Sequence, residues 1–109
     1  MKALSVKQPW ASMIARREKT IETRTWRTFY RGPILIVASR SPIIKGLPTG
    51  VAVCRCDLIN VRPMKKEDEA AARCEFYDGA YAWVLSGVQL TLQFMVRGKP
   101  GLYDVDVTF

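Results

Sequence analysis

The chain is a series of short apolar runs separated by polar turns, and the period of each run predicts its element. "KALSV" (2–6) alternates as a strand does. In "KQPWASMIARRE" the residues Trp10, Met13, Ile14 and Arg17 recur at spacings of three and four. That is a helical period, and Pro9 suits the first position, where a missing N–H is no loss. The register places Trp10, Met13 and Ile14 in the core and ends the helix near residues 17 to 19. The β-branched "TIETRT" (20–25) then predicts a second strand.

"YRGPILIVAS" (30–39) feeds a nearly continuous apolar run from a Gly-Pro turn, the pattern of a strand covered on both faces. "LPTGVAVCRCDLINVRP" (47–63) reads as a long strand, with Cys54 and Cys56 on one face as small hydrophobes. "MKKEDEAAARCEF" (64–76) has acids early and Arg73 late, as a helix dipole favours. After the Asp78-Gly79 turn, "AYAWVLSGVQLTLQFMVRG" and "LYDVDVTF" supply further strands, with Trp83 in the core. Five to seven strands and two helices, without regular strand-helix alternation, predict an α+β fold in which a small mixed sheet curls into a barrel with the helices packed on it. One domain, 1–109, is the natural size for this chain.

Charge alters the picture because it is uneven. Residues 1 to 40 hold nine Lys and Arg against two acids, and residues 41 to 109 hold eight of each, so the whole net charge of +7 sits in the first third. A one-sided basic field is the footprint of a polyanion, most often nucleic acid. The chain has no histidine, which removes Ser-His and Cys-His nucleophiles, and its three cysteines lack the spacing of a zinc site. No metal and no cofactor are expected. There is no signal-like segment and no run long enough for a bilayer, so a cytoplasmic protein without a membrane partner is expected.

Candidate chemistry concentrates in "EKTIETRTW" (18–26). Strand parity puts Thr20, Glu22, Arg24 and Trp26 on one face, and Lys19 enters the same region from the helix-to-strand turn. Together they offer an anion contact, an acceptor or base, and a planar donor. Lys7 and Gln8 in "KQPW", and Arg31 in "YRG", return toward the same end of the sheet. Ser39 and Arg40 lie at the barrel mouth, and Arg97, Lys99 and Gly101 form a basic turn beside it.

These segments, "ALSVKQPWASMIARREKTIETRTWRTFYRGPILIVAS" with "YAWVL" and "VRGKPGLYDVD", resemble the ASCH domain, a member of the PUA-like superfamily, over nearly the whole chain. The family pattern G-x-K-x-x-E-x-R falls on Arg17, Lys19, Glu22 and Arg24. The resemblance implies a PUA-like β-barrel with a short helix across a cleft that takes RNA, single-stranded, or a nucleotide-like ligand. Arg17 stands where the motif has glycine; if that position needs a left-handed helix cap, this costs about 1 kcal/mol, and it adds a positive charge at the cleft. The histidine that the family often carries after the "RGP" turn is missing. As an RNA-processing enzyme or ribonuclease, the chain would use Lys19 and Arg24 to stabilise phosphorane charge and Glu22 as base. A related branch hydrolyses acylated cytidine with a lysine, a threonine and a glutamate, which makes a nucleoside amidohydrolase the alternative; here Glu22 takes the place of that threonine.

Overall fold

The computed structural model describes residues 1–107. Six strands form one curled sheet: β1 (Lys2–Val6), β2 (Ile21–Arg24), β3 (Gly32–Ala38), β4 (Ala52–Pro63), β5 (Tyr81–Leu90) and β6 (Leu102–Asp104), with helices α1 (Trp10–Ala15) and α2 (Glu69–Ala72). Their order is β2-β5-β4-β3-β1-β6. β1 runs parallel to β3, with Lys2 opposite Ile34 and Val6 opposite Ala38, and every other pairing is antiparallel. The α+β fold with a curled sheet and two helices is therefore as expected, and the barrel takes the form of a six-stranded half-barrel.

The curl has local causes. Register shifts at Arg55/Asp57 and Leu58/Asn60 on β4, and at Ile36/Val37 on β3, mark irregularities of the kind that bend a strand and increase its twist. Gly87, at a φ of +64°, faces one of them; a Cβ there would stand 3.3 Å from the Asp57 carboxylate. Bending carries β2, at one edge, around toward β1, which lies on the far side of three intervening strands. Arg24 on β2 donates from Nη2 to the Ser5 carbonyl of β1 at 2.8 Å, spanning this seam.

The run Ile34–Ala38 is fully covered, as its continuous apolar pattern predicts. Leu4, Ile34, Ile36, Cys54, Cys56, Leu58 and Trp83 pack on one face of the sheet with Ala11 and Ile14 of α1. Ala3, Leu35, Val37, Ala52, Val96 and Tyr103 pack on the other. Ile21, Met64, Ala72, Ala80 and Ala82 fix α2 against β2 and β5.

Three expectations change. The long helix over 64–76 becomes a 3-10 turn, Lys66–Asp68, followed by the four residues of α2. Asp68 accepts two bonds from Arg62, at 2.7 and 2.8 Å, and one from the Lys65 amide at 2.8 Å. Arg73, at a φ of 56°, then ends α2. Beyond Leu90 the expected strand over 91–98 is an irregular segment with a single bridge, Met95 to Val51. Strand β6 is three residues long, and Thr108 and Phe109 of the expected "LYDVDVTF" strand lie outside the described residues. Among the described residues no helix is long and apolar enough to cross a membrane.

Candidate functional site

A cleft of about 340 Å³ opens between α1, the ends of β1 and β3, strand β2 and the segment after α2. That is at the small end of ligand pockets, roughly 300–1,000 Å³. Its polar floor is the charged stretch singled out in the sequence. Lys19 is 2% exposed and Glu22 8%. The Lys19 ammonium lies 3.4 Å from Glu22 Oε1 and donates to the Ala72 carbonyl. Glu22 Oε2 accepts from Arg24 Nε at 3.1 Å and Nη2 at 2.8 Å. One carboxylate is thus held between two cations.

The chain's local conformation builds this arrangement. Helix α1 is only six residues long and ends in a tight turn in which the Glu18 and Lys19 amides both donate to the Met13 carbonyl. Arg17 occupies the turn at a φ of 63°, so the position where the family pattern has glycine is indeed left-handed here. The turn drives Lys19 inward under α2, where burial lowers its pKa and the neighbouring Glu22 charge opposes that shift.

The walls contain residues that the sequence pattern did not assign. Trp10, expected in the core, is 39% exposed and lines the cleft. In so short a helix the covered side is taken by Ala11, Ser12 and Ile14, leaving Trp10 to the cleft. Val6, Thr23, Cys74 and Tyr77 complete the wall. Thr23 Oγ1 lies 3.8 Å from Cys74 Sγ. No local pattern signals Cys74 or Tyr77, because the contact that delivers them, Lys19 to Ala72, joins residues 53 apart.

Of the expected site residues, Lys7, Lys19, Glu22, Arg24 and Ser39 meet in the cleft. Gln8 is fully buried. Its Nε2 donates to Ser12 Oγ at 2.9 Å and the Pro48 carbonyl at 2.8 Å, while its Oε1 accepts from the Ser12 amide at 3.0 Å. It anchors the start of α1 beneath the cleft. Arg17 reaches the Val88 carbonyl at 2.8 Å, and Arg31 binds the carbonyls of Thr28 and Tyr30, both away from the cleft lining. Trp26 follows the end of β2, so strand parity no longer orients it. It packs edge-on against Trp83, with centroids 4.7 Å apart, and its carbonyl accepts from the Trp83 indole. Arg40 lines a separate groove beyond Ser39. Among the described residues no three His, Cys, Asp or Glu side chains gather as a metal site.

Comparison with known proteins bears on this geometry directly. The family model of the ASCH domain matches residues 4–93, which contain both helices, the charged floor, β2 to β5 and most of β1. The chain belongs to the ASCH domain family. The crystal structure of ASCH from Zymomonas mobilis superposes with a TM-score of 0.76 at 15% identity, covering 95% of this chain and 86% of that one. A Tyr-to-Phe mutant of the Zymomonas protein gives 0.70 at 14% identity, with coverage of 95% and 88%. These show a shared ASCH fold. In sequence, the chain is 26% identical over 127 aligned residues to the human protein "Activating signal cointegrator 1" and 25% identical to its mouse counterpart. The match covers 94% of this chain but 22% of the length of either relative.

Proposed function

We propose that this ASCH domain binds single-stranded RNA by seating one unstacked base in the cleft. One observation carries the reading: a 39%-exposed tryptophan, Trp10, shares a small cleft with a buried carboxylate fixed between Lys19 and Arg24. Base recognition in single strands combines an aromatic or apolar platform with polar groups that meet the base edge. Trp10, Val6 and Tyr77 supply the first, and Glu22, Thr23 and Lys7 supply the second. The basic first third of the chain and the distant kinship with the cointegrators support the reading.

Titration of a short single-stranded RNA, followed by tryptophan fluorescence and by gel in the same tubes, tests it. Trp10→Ala should weaken binding by about 1–3 kcal/mol, the worth of one stacked base. Equal affinity for Trp10→Ala and wild type, or no binding by wild type, overturns it. RNA cleavage that disappears in Lys19→Ala would add ribonuclease activity to binding.

A second reading, hydrolysis of an acylated nucleoside, is favoured by the depressed pKa of Lys19 in a cleft that also presents the Thr23 hydroxyl. It predicts release of the acyl group from N-acylated cytidine, lost in both Lys19→Ala and Thr23→Val.

A further inference from the structure

The cleft is not the only concavity at this end of the sheet. A groove of about 580 Å³ adjoins it and shares Ser5 and Ser39 as a common wall. The character of the two differs. In the cleft, Lys19 and Arg24 are both committed to Glu22, and much of the wall is apolar. The groove is lined by three cations, Arg40, Arg97 and Lys99, and by no acid. Among the described residues none of these three side chains makes an ion pair or hydrogen bond.

The groove is built by the backbone as well as by charge. The 96–100 segment is pinned by the Val96 amide, which donates to the Gly50 carbonyl at 3.1 Å. At Gly98 a Cβ would stand 3.0 Å from Ser5 Oγ, so the segment lies close against the shared wall. Ser5 Oγ is itself held by the Tyr103 hydroxyl at 2.7 Å. Arg97 and Lys99 therefore project from a segment anchored beside the cleft, and Arg40, just beyond β3, faces them across the groove.

Three unpaired cations, two of them planar guanidinium forks, with no competing carboxylate, have the chemistry that suits phosphate oxygens. We propose that this groove is the phosphodiester track of the bound strand: a base enters the cleft, and its flanking phosphates cross the Ser5/Ser39 wall to lie between Arg40, Arg97 and Lys99. The proposal rests on the RNA-binding reading above and adds to it the path of the strand and the division of labour between the two compartments. The cleft reads a base, and the groove supplies affinity through charge.

The test measures anisotropy of a labelled single-stranded RNA over a salt series with wild type, Arg97→Ala/Lys99→Ala, Arg40→Ala and, as a charge-matched control, Lys65→Ala/Lys66→Ala, which removes two exposed cations outside the groove. Thermal melts confirm that each variant is folded. The groove variants should bind at least about tenfold more weakly at low salt, and their salt slope should fall by about 0.7 for each phosphate no longer neutralised, while the control stays close to wild type. If wild type binds RNA, Trp10→Ala weakens it, and the groove variants match the control, the phosphate track is overturned and base binding in the cleft stands. If wild type does not bind RNA at any salt, the RNA-binding reading fails and takes the track with it.

Discussion

Lys19 and Glu22 hold their charged ends 3.4 Å apart at the floor of the cleft, each side chain at least 89% shielded from water. Bringing two charges out of water costs several kcal/mol per ion, which their attraction and added hydrogen bonds must offset. Removing Glu22 would leave Lys19 and Arg24 facing each other without an anion. Glu22→Ala should therefore cost about 3–5 kcal/mol of folding stability, measured by urea unfolding. Arg24→Ala should cost less, because its side chain is 23% exposed and water partly replaces it.

Burial lowers the Lys19 pKa from its ordinary 10.5. Between the lowered value and 10.5 the unfolded chain binds more protons than the folded one, so this residue's contribution makes stability rise with pH through that window and level off above it. The stability difference between wild type and Lys19→Met, which cancels the other titrating groups, should rise with pH accordingly. A difference that stays flat up to pH 10.5 would contradict the assignment.

Asp68 behaves in the opposite direction. Its hydrogen bonds from Arg62, with help from the Lys65 amide, outweigh its desolvation and bring its pKa down to about 2. The stability it confers is present above the ordinary value of 3.8 and is lost as pH falls through about 2. Asp68→Asn should be less stable than wild type at neutral pH, and the gap should close between those two values in acid-unfolding curves.

Arg17 combines a left-handed backbone with a hydrogen bond to the Val88 carbonyl. Arg17→Ala keeps the strained conformation and loses the bond, whereas Arg17→Gly loses the bond and relieves the strain. The glycine variant should be more stable than the alanine variant by about 1 kcal/mol. Paired chemical denaturation of the two variants isolates the backbone contribution.

Burial pushes the thiols of Cys54 and Cys56 up to about 12, so at neutral pH both are protonated and sealed in the core. Cys74 lines the cleft. Alkylation of the folded protein at pH 7 should modify Cys74 alone, and bound RNA should slow it. Mass spectrometry of peptides from native and denatured samples checks both outcomes.

The sequence revealed most where a residue's role depends on its neighbours along the chain. The continuous apolar run Ile34–Ala38, the paired faces of Cys54 and Cys56, and the left-handed requirement at Arg17 follow from local period or motif and stand in the structure. Strand parity likewise sets Glu22 beside Arg24, whereas Lys19, in the helix-to-strand turn, takes its direction from the turn that closes on the Met13 carbonyl. Trp10 escapes such a reading because helical spacing reports which residues share a side, but not how short the helix is or which neighbour covers that side. Helix α2 is shorter than its charge pattern predicts because Arg62 and Lys65 draw Asp68 into a turn, a competition that the pattern does not encode. Cys74 and Tyr77 reach the site through long-range packing that leaves no local trace.

The bond from Arg24 to the Ser5 carbonyl makes the floor of the cleft and the closure of the half-barrel a single mechanical part. The guanidinium that braces Glu22 also draws β2 toward β1, so a change in the chemistry of the floor also loosens the sheet. At the rim, Trp10, Lys7 and Tyr77 line the cleft without bridging that seam. The walls are therefore separable from the closure of the sheet, whereas the charged floor is held in place by the demands of folding.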